Sequence, residues 1–302
     1  MATIKKPTKT HYIEYAALRC VETAVNMLPR SIALFFGGLT GHALCLFGVC
    51  RRVVLKNFEH IGLWNADDVK KILPALYKNI GRYAVDFLRV GKLPPYRLHD
   101  YDIYERGREA GKGMIIVLAH FGNWELLAAI WGKDVGDLNV IATPMRNPLV
   151  ENWLLKKRTA TAVKTIYTEK ALRGVLSALK RNGIAAILID QHINNMGTPT
   201  PFLSKTADTV RTAAGLAYKT GAAAVPVHAI LNPDGSYDIK FYRAELPVVG
   251  ADGAGKADDE AVISAIQVRH NDILSGWIRE NPEHWFGWFH RRFKGYVDYR
   301  IK

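Results

Sequence analysis

The sequence predicts an α/β fold: a mainly parallel mixed sheet flanked by helices, preceded by an N-terminal hydrophobic membrane helix region. Three observations predict it. From Met114 onward, short continuous apolar runs alternate with helical stretches, the pattern of parallel strands buried on both faces. Before Pro94-Pro95 the apolar spacing is helical throughout. Within that helical part, Ser31 to Cys50 (SIALFFGGLTGHALCLFGVC) runs for 20 residues without a formal charge.

Taken in order, Tyr12 to Leu28 reads as an amphipathic helix ended by Pro29. The uncharged segment follows, with Arg30 at one end and Arg51-Arg52 at the other. A helix of that length spans about 30 Å, the thickness of the hydrocarbon core. Its glycines suit close helix packing in lipid, and the arginines suit anionic headgroups. A buried hairpin of a soluble protein fits the same text; the membrane-inserted or spanning anchor is favoured. Residues 51–93 continue helically, with Leu73, Leu76, Ile80, Tyr83 and Leu88 on helical spacing and Asn65 as an N-cap before Asp67 and Asp68. Residues 1–50 are therefore expected to be the anchor region and 51–302 the catalytic domain.

The strand candidates are Met114–Ala119, Asn139–Thr143, Thr165–Thr168, Ile184–Asp190, Ala222–Ile230 and Asp238–Arg243. The helices between and after them are Asn123–Lys133, Pro148–Ala162, Glu169–Arg181, Asp208–Thr220 and Asp258–Glu280. Val249–Lys256 reads as a flexible loop.

Composition excludes whole classes. Of 302 residues 49% are hydrophobic, too many for a disordered chain. The 41 Lys+Arg against 28 Asp+Glu give a net charge of +13, which calls for an anionic partner. The three cysteines, Cys20, Cys45 and Cys50, are too few and too clustered for a disulfide framework. No Gly-x-Ser-x-Gly elbow, phosphate loop or dinucleotide fingerprint is present, which disfavours a serine hydrolase, an ATPase and a nicotinamide enzyme.

The strongest local signal is Ala119-His120-Phe121-Gly122-Asn123-Trp124-Glu125. His120 falls at the carboxyl end of an apolar strand, where sites collect in open α/β sheets, and Gly122 lets the chain turn tightly into the next helix. A histidine with a carboxylate partner is a general base; a polar strand-end histidine capping the helix is the plain alternative. A base without its own nucleophile suits attack by a substrate hydroxyl on an activated acyl group. No metal site is expected, since the histidines lack compact ligand spacing.

His120-x4-Glu125 resembles the His-x4-Asp/Glu motif of the glycerolipid and lysophospholipid acyltransferases. The wider text is similar to the lauroyl- and myristoyl-type late acyltransferases of lipid A biosynthesis. It comprises AHFGNWE, PMRNP at 144–148, ILIDQH at 187–192, PFL at 201–203, AYKTGAAAVP at 217–226 and HWFGWFHRRFK at 284–294. The resemblance covers nearly the whole chain. It implies a glycerolipid acyltransferase-like fold and a bacterial inner-membrane enzyme with its catalytic domain on the cytoplasmic face. It also implies acyl carrier protein as donor, a lipid A precursor as acceptor, an anionic membrane surface as partner, no nucleic acid and no cofactor. Acyltransferases that acylate phosphatidylinositol mannosides share a similar motif, so another glycolipid acceptor is an alternative, and a non-transferring thioesterase is a further one.

Carried over, the resemblance makes His120 the base on the acceptor hydroxyl and Glu125 its orienting carboxylate. Arg146 would hold a phosphate, the acceptor or the donor. Asp190 and, more weakly, Gln191 would position an arginine or the acceptor. Pro201, Phe202 and Leu203 would shape a pocket, and Thr209 and Arg211 would open a helix whose N-terminus receives an anion. Backbone N–H groups near Gly122 and Asn123, or a nearby arginine, would meet the tetrahedral oxyanion. His290, Arg291, Arg292 and Lys294, interleaved with Trp285, Trp288 and Phe293, would form a cationic, aromatic membrane-interface cluster.

Overall fold

The computed structural model describes residues 6–193, 197–244 and 256–300. The N-terminal part is α1 (Lys9–Met27), α2 (Arg30–Leu46), α3 (Arg51–Ile61) and α4 (Ala66–Leu88). Asn65 caps α4 as its sequence predicts: its side-chain oxygen accepts from the N–H groups of Asp67 (2.9 Å) and Asp68 (3.0 Å). The glycines of the uncharged segment have a steric role here. Helix α2 lies so close to α4 that a Cβ on Gly81 would sit 1.9 Å from the Gly37 carbonyl oxygen. One on Gly41 would sit 2.0 Å from that of Tyr77. At its start α2 is tied down by Arg30, which grips the buried Asp86 through two hydrogen bonds (2.8 and 2.7 Å) and donates to the Gly235 carbonyl at 2.6 Å.

The face of α2 turned away from α4 is bare. Phe35 is 67% exposed, Leu46 73% and Phe47 84%. Among the described residues no single helix is long and apolar enough to cross a membrane; α2 and α3 reach that length and composition only together, across an 80° bend. The predicted 20-residue segment is thus a 17-residue helix followed by a turn.

The α/β part continues with β1 (Tyr96–His99), α5 (Asp102–Glu109), β2 (Met114–Leu118), α6 (Trp124–Val135), β3 (Leu138–Ala142), α7 (Pro148–Ala160), β4 (Val163–Tyr167), α8 (Ala171–Lys180) and β5 (Ile184–Leu188). It ends with β6 (Gly197–Phe202), β7 (Lys205–Val210), α9 (Thr212–Thr220), β8 (Ala223–Leu231), β9 (Tyr237–Phe241) and α10 (Lys256–Glu280), then two 3-10 turns. The sheet order is β1-β9-β8-β2-β5-β3-β4, parallel from β8 to β4, with β9 antiparallel to β8 and β1 parallel to β9. The mainly parallel mixed sheet is therefore as predicted. Strand β2 shows why its text is apolar without interruption: Ile115 and Val117 enter the core on one face, Met114, Ile116 and Leu118 that on the other.

Four elements differ from the sequence reading. Strand β1 and helix α5 lie between Pro95 and Met114, where the sequence suggests no element. The stretch expected as a helix from Asp208 begins as strand; residues 197–210 form the antiparallel β6–β7 hairpin, and α9 starts only at Thr212. Burial of Ala207 and Thr209 beneath α10, with Asp208 less buried between them, fits the extended form. The loop expected at 249–256 lies outside the described residues up to 255; Lys256 opens α10.

Candidate active site

Strands β2 and β5 are neighbours, with Leu118 paired to Leu188. His120 and Asp190 each lie two residues beyond that pair, so the register alone sets them side by side at the carboxyl ends of the two central strands. The His120 ring donates from Nδ1 to Asp190 Oδ1 at 2.8 Å, and its own backbone N–H donates to Oδ2 at 2.9 Å. The Trp285 indole donates to Oδ2 at 2.8 Å. Asp190 is fully buried. Burial alone would push its carboxyl up; the His120 ring beside it and these hydrogen bonds outweigh that and hold it below the usual carboxylate range. An ionised carboxylate only accepts, which fixes the Nδ1–H tautomer and leaves Nε2 as the basic nitrogen of the neutral ring.

Glu125 does not touch His120 in this arrangement. It lies in the first turn of α6, and its two oxygens accept from Arg158 of α7 at 2.6 and 3.3 Å. The carboxylate hydrogen-bonded to the His120 ring is Asp190. Gly122 makes the turn with φ +62°, and a Cβ there would lie 1.9 Å from the Ala229 carbonyl oxygen, so glycine is required. The backbone donors expected for an oxyanion are already committed: Gly122 N–H to His284 O and Asn123 N–H to Ala229 O, each at 2.9 Å.

Gln191 bridges two histidines. Its side-chain nitrogen lies 3.1 Å from His120 Nε2 and 2.9 Å from His290 Nε2. His290 is carried by the 284–294 segment, which forms the floor of the site rather than the expected membrane-interface cluster. Trp285, Trp288, Arg292 and Phe293 are fully buried, and Trp288 stacks on Phe58 of α3 with centroids 3.8 Å apart. Arg292 donates to Thr209 Oγ1 at 2.6 Å and lies over the Phe202 ring; burial pushes its guanidinium down to about 10. Arg291 and Lys294 do face solvent. The segment is held to His120 by Phe286 N–H donating to His120 O at 2.7 Å, and to α3 by the buried Asn57, which donates to Trp288 O and His290 O at 2.8 and 2.9 Å.

The remaining expected site residues lie elsewhere. Arg146 projects into solvent, 85% exposed, with Glu14 of α1 at 3.5 Å. Arg211 is ion-paired to Glu260 of α10. Phe202 and Leu203 are core residues, each 1% exposed, and Thr209 lies within a buried polar network with Asn271 and Arg292. Their expected roles come from their place in the motifs of the resemblance; the β6–β7 hairpin turns Phe202, Leu203 and Thr209 inward. Sequence reasoning missed Arg158 and Asn57, whose importance rests on contacts across 33 and more than 200 positions. Among the described residues no group of three or more histidine, cysteine, aspartate or glutamate side chains could hold a metal ion.

A buried aspartate holding a histidine at the carboxyl ends of adjacent parallel strands defines an α/β protein with its candidate site at the usual open end of the sheet. The chain belongs to the bacterial lipid A biosynthesis acyltransferases: the family's profile matches residues 4–295, which takes in the whole of this site. Individually curated proteins gave no match. Membership makes the chain an acyltransferase directed at a lipid A-type acceptor.

Proposed function

We propose that the protein transfers a fatty acyl chain from an acyl carrier protein thioester to a hydroxyl of a lipid A precursor, with His120 as general base. The observation that carries this reading is the His120–Asp190 pair, which leaves one basic nitrogen and no serine or cysteine nucleophile beside it in the described contacts. His120 Nε2 takes the proton as the acceptor oxygen attacks the thioester carbonyl. The tetrahedral oxyanion collapses, the C–S bond breaks, and the imidazolium returns the proton to the departing thiolate. Asp190 stabilises the imidazolium in between. One ester forms, one thioester is lost, and no acyl-enzyme intervenes.

Residues 1–50 act in this reading as the membrane anchor. The bare face of α2 supports insertion in the interface of the bacterial inner membrane from the cytoplasmic side, with the glycine face held against α4. The +13 charge draws an anionic leaflet, a phosphorylated acceptor and acidic acyl carrier protein alike. The test is thioester turnover with and without lipid acceptor. Acceptor-dependent ester formation is expected; release that ignores the acceptor would make the protein a thioesterase.

A further inference from the structure

We propose that the Gln191 side-chain amide, held by His290, is the donor that stabilises the oxyanion of the transfer reaction. The inference rests on the acyl-transfer reading above and assigns a catalytic role to Gln191 and a positioning role to His290.

The orientation of the amide follows from the network. Asp190 accepts from His120 Nδ1, so His120 Nε2 accepts, and the group 3.1 Å away must be the NH₂ end of Gln191. Its second N–H then points to His290 Nε2 at 2.9 Å. Burial pushes the His290 imidazole below its ordinary value, with the His120 ring adding to this and Asp190 opposing it, which suits an accepting Nε2. His290 is itself fixed: its N–H donates to Gly287 O at 3.0 Å and its carbonyl accepts from Asn57.

The place held by this amide is where chemistry must occur. The attacking hydroxyl has to approach His120 Nε2 within about 3 Å, and it thereby replaces Gln191 as the partner of that nitrogen. One amide N–H remains on His290. The other is released within reach of the thioester carbonyl, the oxygen of which becomes the oxyanion. A useful donor lies about 2.7–3.1 Å from that oxygen, and the amide starts 3.1 Å from the base. The alternatives nearby are engaged. The N–H groups of His120, Gly122 and Asn123 donate to Asp190, His284 and Ala229, and the Arg158 fork is closed on Glu125. The hydrogen bond to His290, which is retained, keeps the amide beside the base when substrate displaces it from Nε2.

The experiment is steady-state transfer by the full chain in vesicles, with an acyl carrier protein thioester and a lipid A precursor, for wild type, Gln191→Glu, Gln191→Met and His290→Ala. Glu and Met keep the length of Gln but lack its N–H donors. Both variants should lose about 10²–10³-fold in kcat, the cost of one oxyanion donor, with KM for both substrates within threefold of wild type. His290→Ala should lose about tenfold in kcat, and the Gln191→Met/His290→Ala double variant should be no worse than Gln191→Met alone, because the two residues serve one donor. Melting temperatures report folding, and two isosteric substitutions guard against one that misfolds. Retention of kcat within threefold by either folded Gln191 variant, or a loss confined to KM, overturns the proposal while leaving acyl transfer intact. Absence of acceptor-dependent transfer in wild type overturns the acyl-transfer reading and the proposal with it.

Discussion

Glu125 and Arg158 face each other across α6 and α7, the guanidinium donating from Nη2 at 2.6 Å and from Nε at 3.3 Å to the two carboxylate oxygens. Both side chains are largely sheltered, 20% and 13% exposed. A carboxylate five positions after a strand-end histidine has entered the helix by then, and the helix aims it at its neighbour. The imidazole meanwhile turns to the adjacent strand. In this structure the carboxylate on the imidazole is Asp190, and the carboxylate of the His-x4-Glu spacing is on Arg158.

Asp190→Asn and Glu125→Gln should therefore separate. An amide at 190 accepts less well from Nδ1–H and can donate to it, which favours the wrong tautomer; a loss of about 10⁴ in kcat is the expected scale for a base so mispaired. Glu125→Gln removes half of a mostly buried ion pair and should cost about 2 kcal/mol of stability, below the range for fully buried pairs, with a smaller loss of kcat. Chemical denaturation and initial rates measure both. Equal losses of kcat in the two variants would return the orienting role to Glu125.

His120→Ala should abolish transfer with the fold and vesicle binding retained, at a cost of about 1–3 kcal/mol of stability because the buried Asp190 loses its ring donor. Full activity in that variant would remove His120 from the reaction.

Much of this was legible in the sequence because a parallel sheet advertises itself. Met114–Ala119 and the run from Ile184 to Ile189 are uninterrupted apolar text since both faces are covered, and each is followed by a polar residue, His120 or Asp190, that the pattern places at a strand's carboxyl end. What the text lacked was strand order. Only when β2 and β5 are neighbours, with Leu118 opposite Leu188, do His120 and Asp190 become partners. The hairpin at 197–210 was hidden by Pro199, Pro201 and Gly197, which read as loop. The aromatic-basic ending read as a surface because Arg292 carries a charge, whereas the fold buries it on Asp208 and Thr209.

Gly81→Ala tests the glycine seam. The new Cβ meets backbone, the Gly37 carbonyl, which cannot rotate away as a side chain would. Helix α2 must move off α4, and a loss of about 2–3 kcal/mol is expected, comparable with overpacking in a tight core. Circular dichroism melts measure it. Gly276→Ala, where a Cβ meets nothing within 4 Å, is the matched control and should be neutral. A neutral Gly81→Ala would mean that α2 does not pack there in solution.

The bare face of α2 gives a membrane prediction. Phe35, Leu46 and Phe47 contribute little to the fold because they are more than two-thirds exposed. Replacing all three with serine should leave the melting temperature unchanged and weaken partition onto anionic vesicles by about a hundredfold or more, given about 1.5–3 kcal/mol for each large apolar side chain fully buried. Sedimentation with vesicles measures it. Unchanged partition would place the membrane contact elsewhere on the protein.

Acid should destabilise the fold well before its carboxylates titrate. Burial pushes His228 down to about 3, with the Lys240 charge adding to it, and pushes His270 and His284 down to about 4. The unfolded chain returns all three to about 6.5. Between pH 4 and 6.5 the unfolded state therefore binds up to three protons that the native state refuses at these sites. Stability then rises with pH, by about 4 kcal/mol per unit at most from these three. It is fully present above 6.5 and is lost as pH falls towards 4. Asp190, Asp137 and Asp238 are held below the usual carboxylate range, so their contribution is lost only at lower pH. Urea titrations at pH 7.5 and 5.0 should differ by up to about 6 kcal/mol. His270→Leu should remove about a third of that difference, since the His270 Nε2 has no hydrogen-bond partner to lose. A pH profile unaltered by His270→Leu would show that this imidazole is protonated in the native state.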